Sequence, residues 1–241
     1  MIQTTQAIIL SSLKTNGEKL VVRALTREFG KVSFLVYGAW SKRGGHKASL
    51  IFPMSLVSLS LDYKPNADLQ VAKDISLDTS MIDLMRNPYK STIALFVGEM
   101  LDSCIHRGDE SEQLFEFCYN SALVLEHTDR GVENFHIAML VGLTSQLGIA
   151  PNVDKGEKGF FDLMQSAYVR VRPPHPHFLD DRATAYLYTL SHITYRNMSY
   201  YKYRRCDKRV VLEKIIEYFR LHVAGVGEIR SLQTLVEYYD F

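Results

Sequence analysis

The sequence holds only three cysteines, Cys104, Cys118 and Cys206, and no two of them form a C-x-x-C pair. That spacing offers neither a structural zinc site nor a disulfide framework, and it fits a reducing, cytoplasmic setting. There is no uninterrupted apolar run approaching ~18 residues, so no membrane span is expected. The opening MIQTTQAIILSSLK has no positive leader before its short apolar run and does not read as a signal peptide. A G-x-S-x-G nucleophile elbow is lacking, no cysteine stands in an evident site context, and GEKGFF and KRGG depart from a phosphate-binding P-loop. Covalent catalysis therefore has no foothold: we expect no enzyme, no cofactor and no metal.

What is there is an ordinary globular composition, 46% hydrophobic and 23% charged, with room in 241 residues for one large domain or two small ones. The net charge of +1 hides a strong pattern. Residues 1–50 hold 8 Lys/Arg against 2 Asp/Glu, residues 51–169 hold 8 against 17, and residues 170–209 hold 9 against 3. Two basic blocks thus flank an acidic middle. The basic blocks could grip a polyanion while the acidic block faces elsewhere.

The first ~78 residues alternate with period two. In EKLVVRALTREFGKVSFLVYG, Leu20, Val22 and Ala24 fall on one face, and Lys19, Val21, Arg23, Leu25 and Arg27 on the other. REFGK supplies a turn in which Gly30 can take positive φ, and Val32, Phe34 and Val36 resume the alternation. LVYGAWSKRGGHKASL opens as a strand and ends as the next begins. In SLIFPMSLVSLSLDYK, Pro53 implies a bulge or an edge position. About five short strands without helical pattern predict a small closed barrel over residues 1–79.

From residue 80 to 241 the period becomes 3.6, which predicts a helical domain of five or six helices. Asn87 caps a helix with Pro88 at its first position, running to Gly108. DESEQLFEFCYNSALVLEHT follows, with acids in its first turn, and then GVENFHIAMLVGLTSQLGIAPN, ending at Gly148. A hairpin in KGFFDLMQSAYVRV and a proline-rich loop interrupt at about 151–177. Asp180 and Asp181 cap the next helix, and two more close the chain. The fold class is α+β: an N-terminal small β-barrel followed by an α-helical domain with a short β-hairpin insertion.

Among candidate sites, His175 and His177 in PPHPHF have a spacing possible for two metal ligands, but no further Cys or His cluster completes a set of four; a solvated loop is the alternative. His136 lies among Phe135, Ile137 and Met139 and reads as a packed helix residue. The basic aromatic segments say more. YRNMSYYKYRRCDKR places Tyr195, Tyr200, Tyr201 and Tyr203 among Arg196, Lys202, Arg204 and Arg205. Cations there neutralise phosphates while aromatic faces stack on bases; a solvated helix junction is the plainer alternative. In the barrel, Lys19, Arg23 and Arg27 share a strand face, and Lys31, Lys42, Arg43 and Lys47 lie on the adjoining hairpin and loop. Small OB-type barrels bind single strands with such a face and loops. Trp40, the chain's one tryptophan, either stacks on a base or plugs the barrel end. Arg170 and Arg172 extend the candidate DNA-binding set from the second block.

These residues resemble a known family. TTQAIILSSLKTNGEKLVVRALTREFGKVSFLVYGAWSKRG is similar to the N-terminal OB-fold of the RecO recombination mediators, with its TREFG turn and YGA-type strand end. FHIAMLVGLTSQLGIAPN and YFRLHVAGVGEIRSLQTL resemble that family's central helix and C-terminal region, in family order and in a form most like Bacteroidetes members. Many members carry four zinc-binding cysteines after the central helix, whereas residues 151–177 have none here, which puts zinc in doubt. The resemblance implies a cytoplasmic, nucleoid-associated protein that binds single- and double-stranded DNA and anneals complementary strands. It implies action with RecR to replace single-strand-binding protein by RecA. It also implies that the helical domain binds the acidic, apolar C-terminal tail of single-strand-binding protein, and Tyr195, Arg196, Tyr200, Lys202, Tyr203, Arg204 and Arg205 serve that peptide or a second DNA site. The alternatives are a protein-interaction adaptor with a degenerate barrel, or an RNA-binding OB protein.

Overall fold

Period-two alternation closes the first five strands on themselves. The structure, a computed structural model, describes residues 2–15, 19–38, 47–109, 111–153, 159–202 and 205–239. Strands β1 (Ile2–Lys14), β2 (Lys19–Thr26), β3 (Gly30–Tyr37), β4 (Leu56–Asp62) and β5 (Gln70–Leu77) form a closed barrel in the order β1-β2-β3-β5-β4. All neighbours are antiparallel except β3 and β5, and β4 pairs back onto β1. Leu20, Val22 and Ala24 point into the barrel with Val32, Phe34 and Val36, as their alternation requires. Gly30 takes φ 58 at the β2–β3 turn, and next to it Phe29 stacks on Tyr63 at 4.1 Å, packed against the barrel core.

Seven helices occur among the described residues: α1 (Ile82–Arg86), α2 (Pro88–Cys104), α3 (Glu112–His127), α4 (Phe135–Gln146), α5 (Asp181–Ser191), α6 (Arg205–His222) and α7 (Ser231–Tyr239). By packing, the barrel and α1–α3 form one unit with residues 229–235, and residues 129–228 form a second with the last residues. The first unit reaches past residue 79 because β1 is covered on both sides. Ala7 and Ile9 belong to the barrel core; Ile8 and Leu10 lie outside that cluster yet are equally buried. Helix α2 lies against this outer face, and Gly98 lets it come close.

Several boundaries differ from the sequence expectation. Residues Lys47–Leu50 form a 3-10 turn, not the start of a strand, and β4 begins only at Leu56. Pro53 is neither edge nor bulge: it sits in the preceding turn, where Met54 takes φ 67 and its N–H reaches Ile9 O at 2.7 Å. Helix α2 is capped as expected, Asn87 accepting from Tyr89 N at 3.0 Å, but it ends at Cys104 because Ile105 turns extended. Gly108, at φ 96, belongs to the turn beyond. The short α1 was not expected. Its first-turn N–H groups, Asp83 N and Leu84 N, donate to the Glu126 carboxylate of α3 at 2.9 and 2.7 Å, while the buried Lys90 ammonium donates to Glu126 O at 2.6 Å.

In the second unit the expected hairpin, β6 (Phe160–Asp162) with β7 (Ala167–Val169), gains a third strand, β8 (Phe178–Leu179), in the order β7-β6-β8. The proline-rich segment therefore returns to the sheet instead of remaining a loop. Asp162 closes the hairpin, its Oδ1 accepting from Met164 N at 2.8 Å and Gln165 N at 3.1 Å. Tyr218 of α6 donates to Ile149 O at 2.7 Å and packs with Phe161, Leu163 and Leu179. No described helix is long and apolar enough to cross a membrane.

Gly98→Ala tests the close approach of α2 to β1. A Cβ there would stand 2.6 Å from Leu10 O and 2.8 Å from Pro53 Cβ, one of them rigid backbone. Alanine would favour the helix by ~1 kcal/mol, but overpacking costs ~1–3 kcal/mol. Because one clash is with backbone, the cost lies toward the upper end of that range, and we expect a net loss of about 1–2 kcal/mol in urea unfolding. An equal or raised midpoint would show that the helix can move away.

Candidate nucleic-acid interface

The outer face of the barrel divides into two parts. Ladder pairs share a face, and one row runs straight across four strands: Leu13 opposite Val21, Val21 opposite Leu35, Leu35 opposite Val71. All four point away from the barrel core and none is buried; Leu13 is 68% exposed. Beside this row Lys19 pairs with Tyr37, its ammonium 5.3 Å from the centre of a ring that is itself half exposed. Lys73, exposed, lies two residues beyond Val71. Apolar and aromatic side chains with lysines beside them, on the outer strand surface of the barrel, suit unstacked bases with their phosphates at the edge.

The other part of the face is closed by carboxylates. Asp102 accepts from Ser11 Oγ at 2.9 Å and Arg23 Nη1 at 2.9 Å, and Lys31 Nζ stands 2.8 Å from its second oxygen. Lys31 also donates to the carbonyls of Asp102 and Ile105. Burial alone would raise the Asp102 carboxyl, but the Lys31 and Arg23 charges and the Ser11 hydroxyl outweigh it and hold it below the usual carboxylate range. Arg27 meets Glu116 at 2.6 Å and Glu112 at 3.4 Å, lies over the Phe115 ring and donates to Gln6 Oε1. Part of the acidic block thus faces the first basic block instead of facing away from it.

The sequence-predicted cations sort accordingly. Lys19 lies on the open part. Arg23 keeps half its side chain exposed but is paired, and Arg27 and Lys31 are committed to the helices. Lys47 meets Asp74 at 3.2 Å. Trp40, Lys42 and Arg43 lie outside the described residues. The sequence reading missed Leu13, Leu35, Tyr37, Val71 and Lys73. For Leu35 and Tyr37 the signal was present in the alternation: they take the phase opposite to Val32, Phe34 and Val36. The loop before β5 is held in shape: Gln70 donates to Lys64 O at 2.8 Å and Ala67 O at 3.0 Å, and Arg107 reaches Asp68 and Ala67 O.

In the second unit, Arg170 and Arg172 are exposed, with Arg172 5.2 Å from the Phe178 ring centre. Tyr195 is half buried and stacks on Phe135 at 5.2 Å, whereas Arg196, Tyr200 and Lys202 are exposed. Tyr203 and Arg204 and the Arg205 side chain lie outside what is described. These residues do not line the unit's cavity. That cavity, of about 320 Å³, is bounded by Phe161 and Leu179 of the small sheet, Leu187 of α5, and Val211, Lys214 and Ile215 of α6.

Chemistry elsewhere is muted. His175 meets Asp162 at 3.2 Å and His177 meets Glu217 at 2.7 Å, so each imidazole has a carboxylate partner, and no group of three or more metal-capable side chains assembles among the described residues. Burial takes the His136 imidazole down to about 3, Lys208 adding to it, so it stays neutral near pH 7. Burial pushes the Cys104 and Cys118 thiols up to about 12, which leaves them unreactive.

Comparison with known proteins agrees with this architecture. The family model described as "Recombination protein O N terminal" matches residues 1–80, and "Recombination protein O C terminal" matches residues 85–232. Curated relatives named "DNA repair protein RecO" match over the full length of both chains: 31% identical over 242 residues in Azobacteroides pseudotrichonymphae, 32% over 242 in Bacteroides fragilis, and 27% over 245 in Porphyromonas gingivalis.

Asp102→Asn tests the closed part of the face. Removing one charge of a largely buried cluster costs ~3–5 kcal/mol when nothing replaces it; with Arg23 half exposed we expect about 2–3 kcal/mol at pH 7. Because the folded pKa is lowered, this stability is present above the ordinary value of 3.8 and is lost as pH falls through the folded value. The wild-type advantage in urea unfolding should therefore shrink below pH 3.8. A gap that is constant with pH would remove the charge from the explanation.

Proposed function

The chain belongs to the RecO family of DNA repair proteins, and on that premise we propose that it is a non-enzymatic recombination mediator that binds single-stranded DNA on the open part of its OB barrel. The observation that carries this reading is the row Leu13–Val21–Leu35–Val71 with Tyr37 and Lys19 beside it. Bases rest on this surface, with Tyr37 the stacking ring, and phosphates meet Lys19, Lys73 and the basic residues Lys42 and Arg43. Apolar contact is indifferent to base identity, which suits a protein that must accept any sequence. Holding two strands with their bases displayed lowers the cost of their pairing, so annealing of complementary strands follows without bond chemistry. Duplex DNA would be held more weakly, through phosphates alone.

In the cell such a protein acts with RecR to replace single-strand-binding protein by RecA. Recognition of the acidic, apolar C-terminal tail of single-strand-binding protein belongs, in our reading, to the second unit's cavity. Its volume of about 320 Å³ and largely apolar walls suit one buried aromatic side chain, and Lys214, which pairs with Glu217 at 2.7 Å, would share its charge with the tail's carboxylates. The basic loop at 195–202 lacks a comparable concavity among its described residues and suits an anchored peptide less well.

Fluorescence anisotropy with single-stranded DNA, duplex and RNA at two salt concentrations tests the barrel reading. Tyr37→Ala should weaken single-strand binding about tenfold with little change in salt dependence. Lys19→Glu should weaken it and flatten the salt slope by about one phosphate equivalent. Wild-type affinity in both folded variants would refute the barrel site.

The cavity is tested with the last ten residues of single-strand-binding protein, with and without the terminal phenylalanine. Binding should require the phenylalanine and fall on Lys214→Glu. Absence of binding at low salt, or equal binding without the phenylalanine, would remove the peptide from the cavity.

A further inference from the structure

Between α5 and α6 the chain forms a loop whose shape is fixed from several sides. A 3-10 turn at Met198–Tyr200 closes it. Asn197 N and Met198 N both donate to Thr194 O, Tyr200 N to Asn197 O at 2.9 Å, and Tyr201 N to Met198 O at 3.3 Å. The Asn197 side chain ties the base of the loop, accepting from Thr194 N at 2.7 Å and donating to His192 O at 2.9 Å. From below, the buried Asn134 donates to Met198 O at 2.9 Å and Tyr201 O at 2.8 Å. Gly131, at φ 75, comes so near that a Cβ would stand 2.7 Å from Ser199 N and Cα. Lys208 of α6 donates to Glu133 O at 2.7 Å, bracing the residue next to Asn134. Met198 is buried, and Tyr195 stacks on Phe135.

All this order supports a side chain that gains nothing from it within the fold. Tyr200 is 81% exposed, the most exposed large hydrophobic side chain among the described residues. Arg196 and Lys202 flank it, both exposed, and no acid occurs from residue 182 to 206. An aromatic side chain with only two rotatable bonds, carried on a fixed backbone beside cations, is well placed for a flat anionic ligand: the loop need not be ordered when the ring is covered.

We infer that Tyr200 is the stacking contact of a second single-strand nucleic-acid site, carried by the helical unit, with Arg196 and Lys202 as its phosphate partners. The ligand is a single strand because a duplex hides its base faces in its own stack, leaving a protruding ring nothing to cover it. A peptide partner is disfavoured because peptide anchors bury aromatics in concavities, and this aromatic projects from the protein's own surface. The inference rests on the reading that the chain binds DNA strands but uses none of the barrel residues. Two separate contacts for strands would let one chain hold DNA at two points, as annealing demands.

Photo-cross-linking of the full-length chain to a single strand carrying 5-iodouracil, with the adducts mapped by mass spectrometry, tests it directly. We expect adducts at both Tyr37 and Tyr200. In anisotropy titrations Tyr200→Ala should weaken single-strand binding about tenfold, leave duplex binding within twofold, and leave the thermal midpoint unchanged, because the ring makes no buried contact. Tyr200→Phe keeps the ring and should keep the affinity. Adducts at Tyr37 alone, with wild-type affinity in Tyr200→Ala, overturn this inference and leave the barrel site standing. Adducts at Tyr200 alone leave this inference and remove the barrel site. Loss of affinity for a protein partner in Tyr200→Ala, with strand binding intact, would make the loop a protein contact and overturn the inference.

Discussion

The Asp102 carboxylate decides what the barrel can do. It sits in the last turn of α2, where a negative charge works against the helix dipole, and no basic residue of that turn offsets it. Its compensation comes from three strands of the barrel: Ser11 on β1, Arg23 on β2 and Lys31 on β3. Ser11 and Arg23 are cross-strand partners, and Arg23 faces Ser33 on the next strand. The carboxylate thus binds to one patch of the ladder and holds the end of α2 there, while Gly98 sets the depth at which the helix packs upstream. Helix position, strand register and local charge are satisfied together.

That clamp also sets where a ligand can go. Cations that a linear reading assigns to the barrel face are divided between structure and solvent. Arg27 and Lys31 work inside the protein, so the open part of the face has few charges and much apolar surface. If strands bind there as proposed, counterion release would contribute less than the +6 balance of residues 1–50 suggests, and stacking more. On that proposal, this balance would ease release of a strand once pairing begins. Stacking contacts are lost one base at a time, whereas a dense cationic track would hold paired and unpaired strands alike.

Much of the fold was legible because it rests on local rules. The alternation in β2 and β3, the Asn87–Pro88 helix start and the Asp180 cap need only neighbours in sequence, and all three stand. What failed to show depends on partners far along the chain. Helix α1 is capped by Glu126, some forty residues away, so its five residues carry no start signal of their own. Pro53 looked like a strand residue because the apolar run around it is continuous; its turn is specified by the pairing of Met54 and Ser55 with Ile9. The candidate site was half legible for the same reason. Basic residues announce themselves by type, but whether a cation is free depends on which acid folds against it. The outward apolar row stayed hidden because its members lie on four strands, and only the ladder register brings Leu13, Val21, Leu35 and Val71 side by side.

The small sheet of the second unit shows how short-range and long-range terms combine where no cross-link helps. Its strands have two or three residues each, too few to persist alone. Asp162 spends one carboxylate oxygen on the hairpin turn and offers the other to His175, joining β6 to the returning segment. Glu217 on α6 takes His177 and Lys214; burial pulls its carboxyl upward, but the hydrogen bonds and charge of these partners, Lys214 first, outweigh it and keep it below its usual range. Tyr218 and His222, on the same helix face, donate to Ile149 O and Leu163 O. Helix α6 is therefore fastened to the sheet by polar contacts along one side, leaving Val211, Lys214 and Ile215 to wall the cavity. The two roles overlap on one helix: Tyr218 both lines the cavity and donates to Ile149 O, and Lys214 both lines the cavity and pairs with Glu217, so the cavity shares side chains with the contacts that hold the sheet in place.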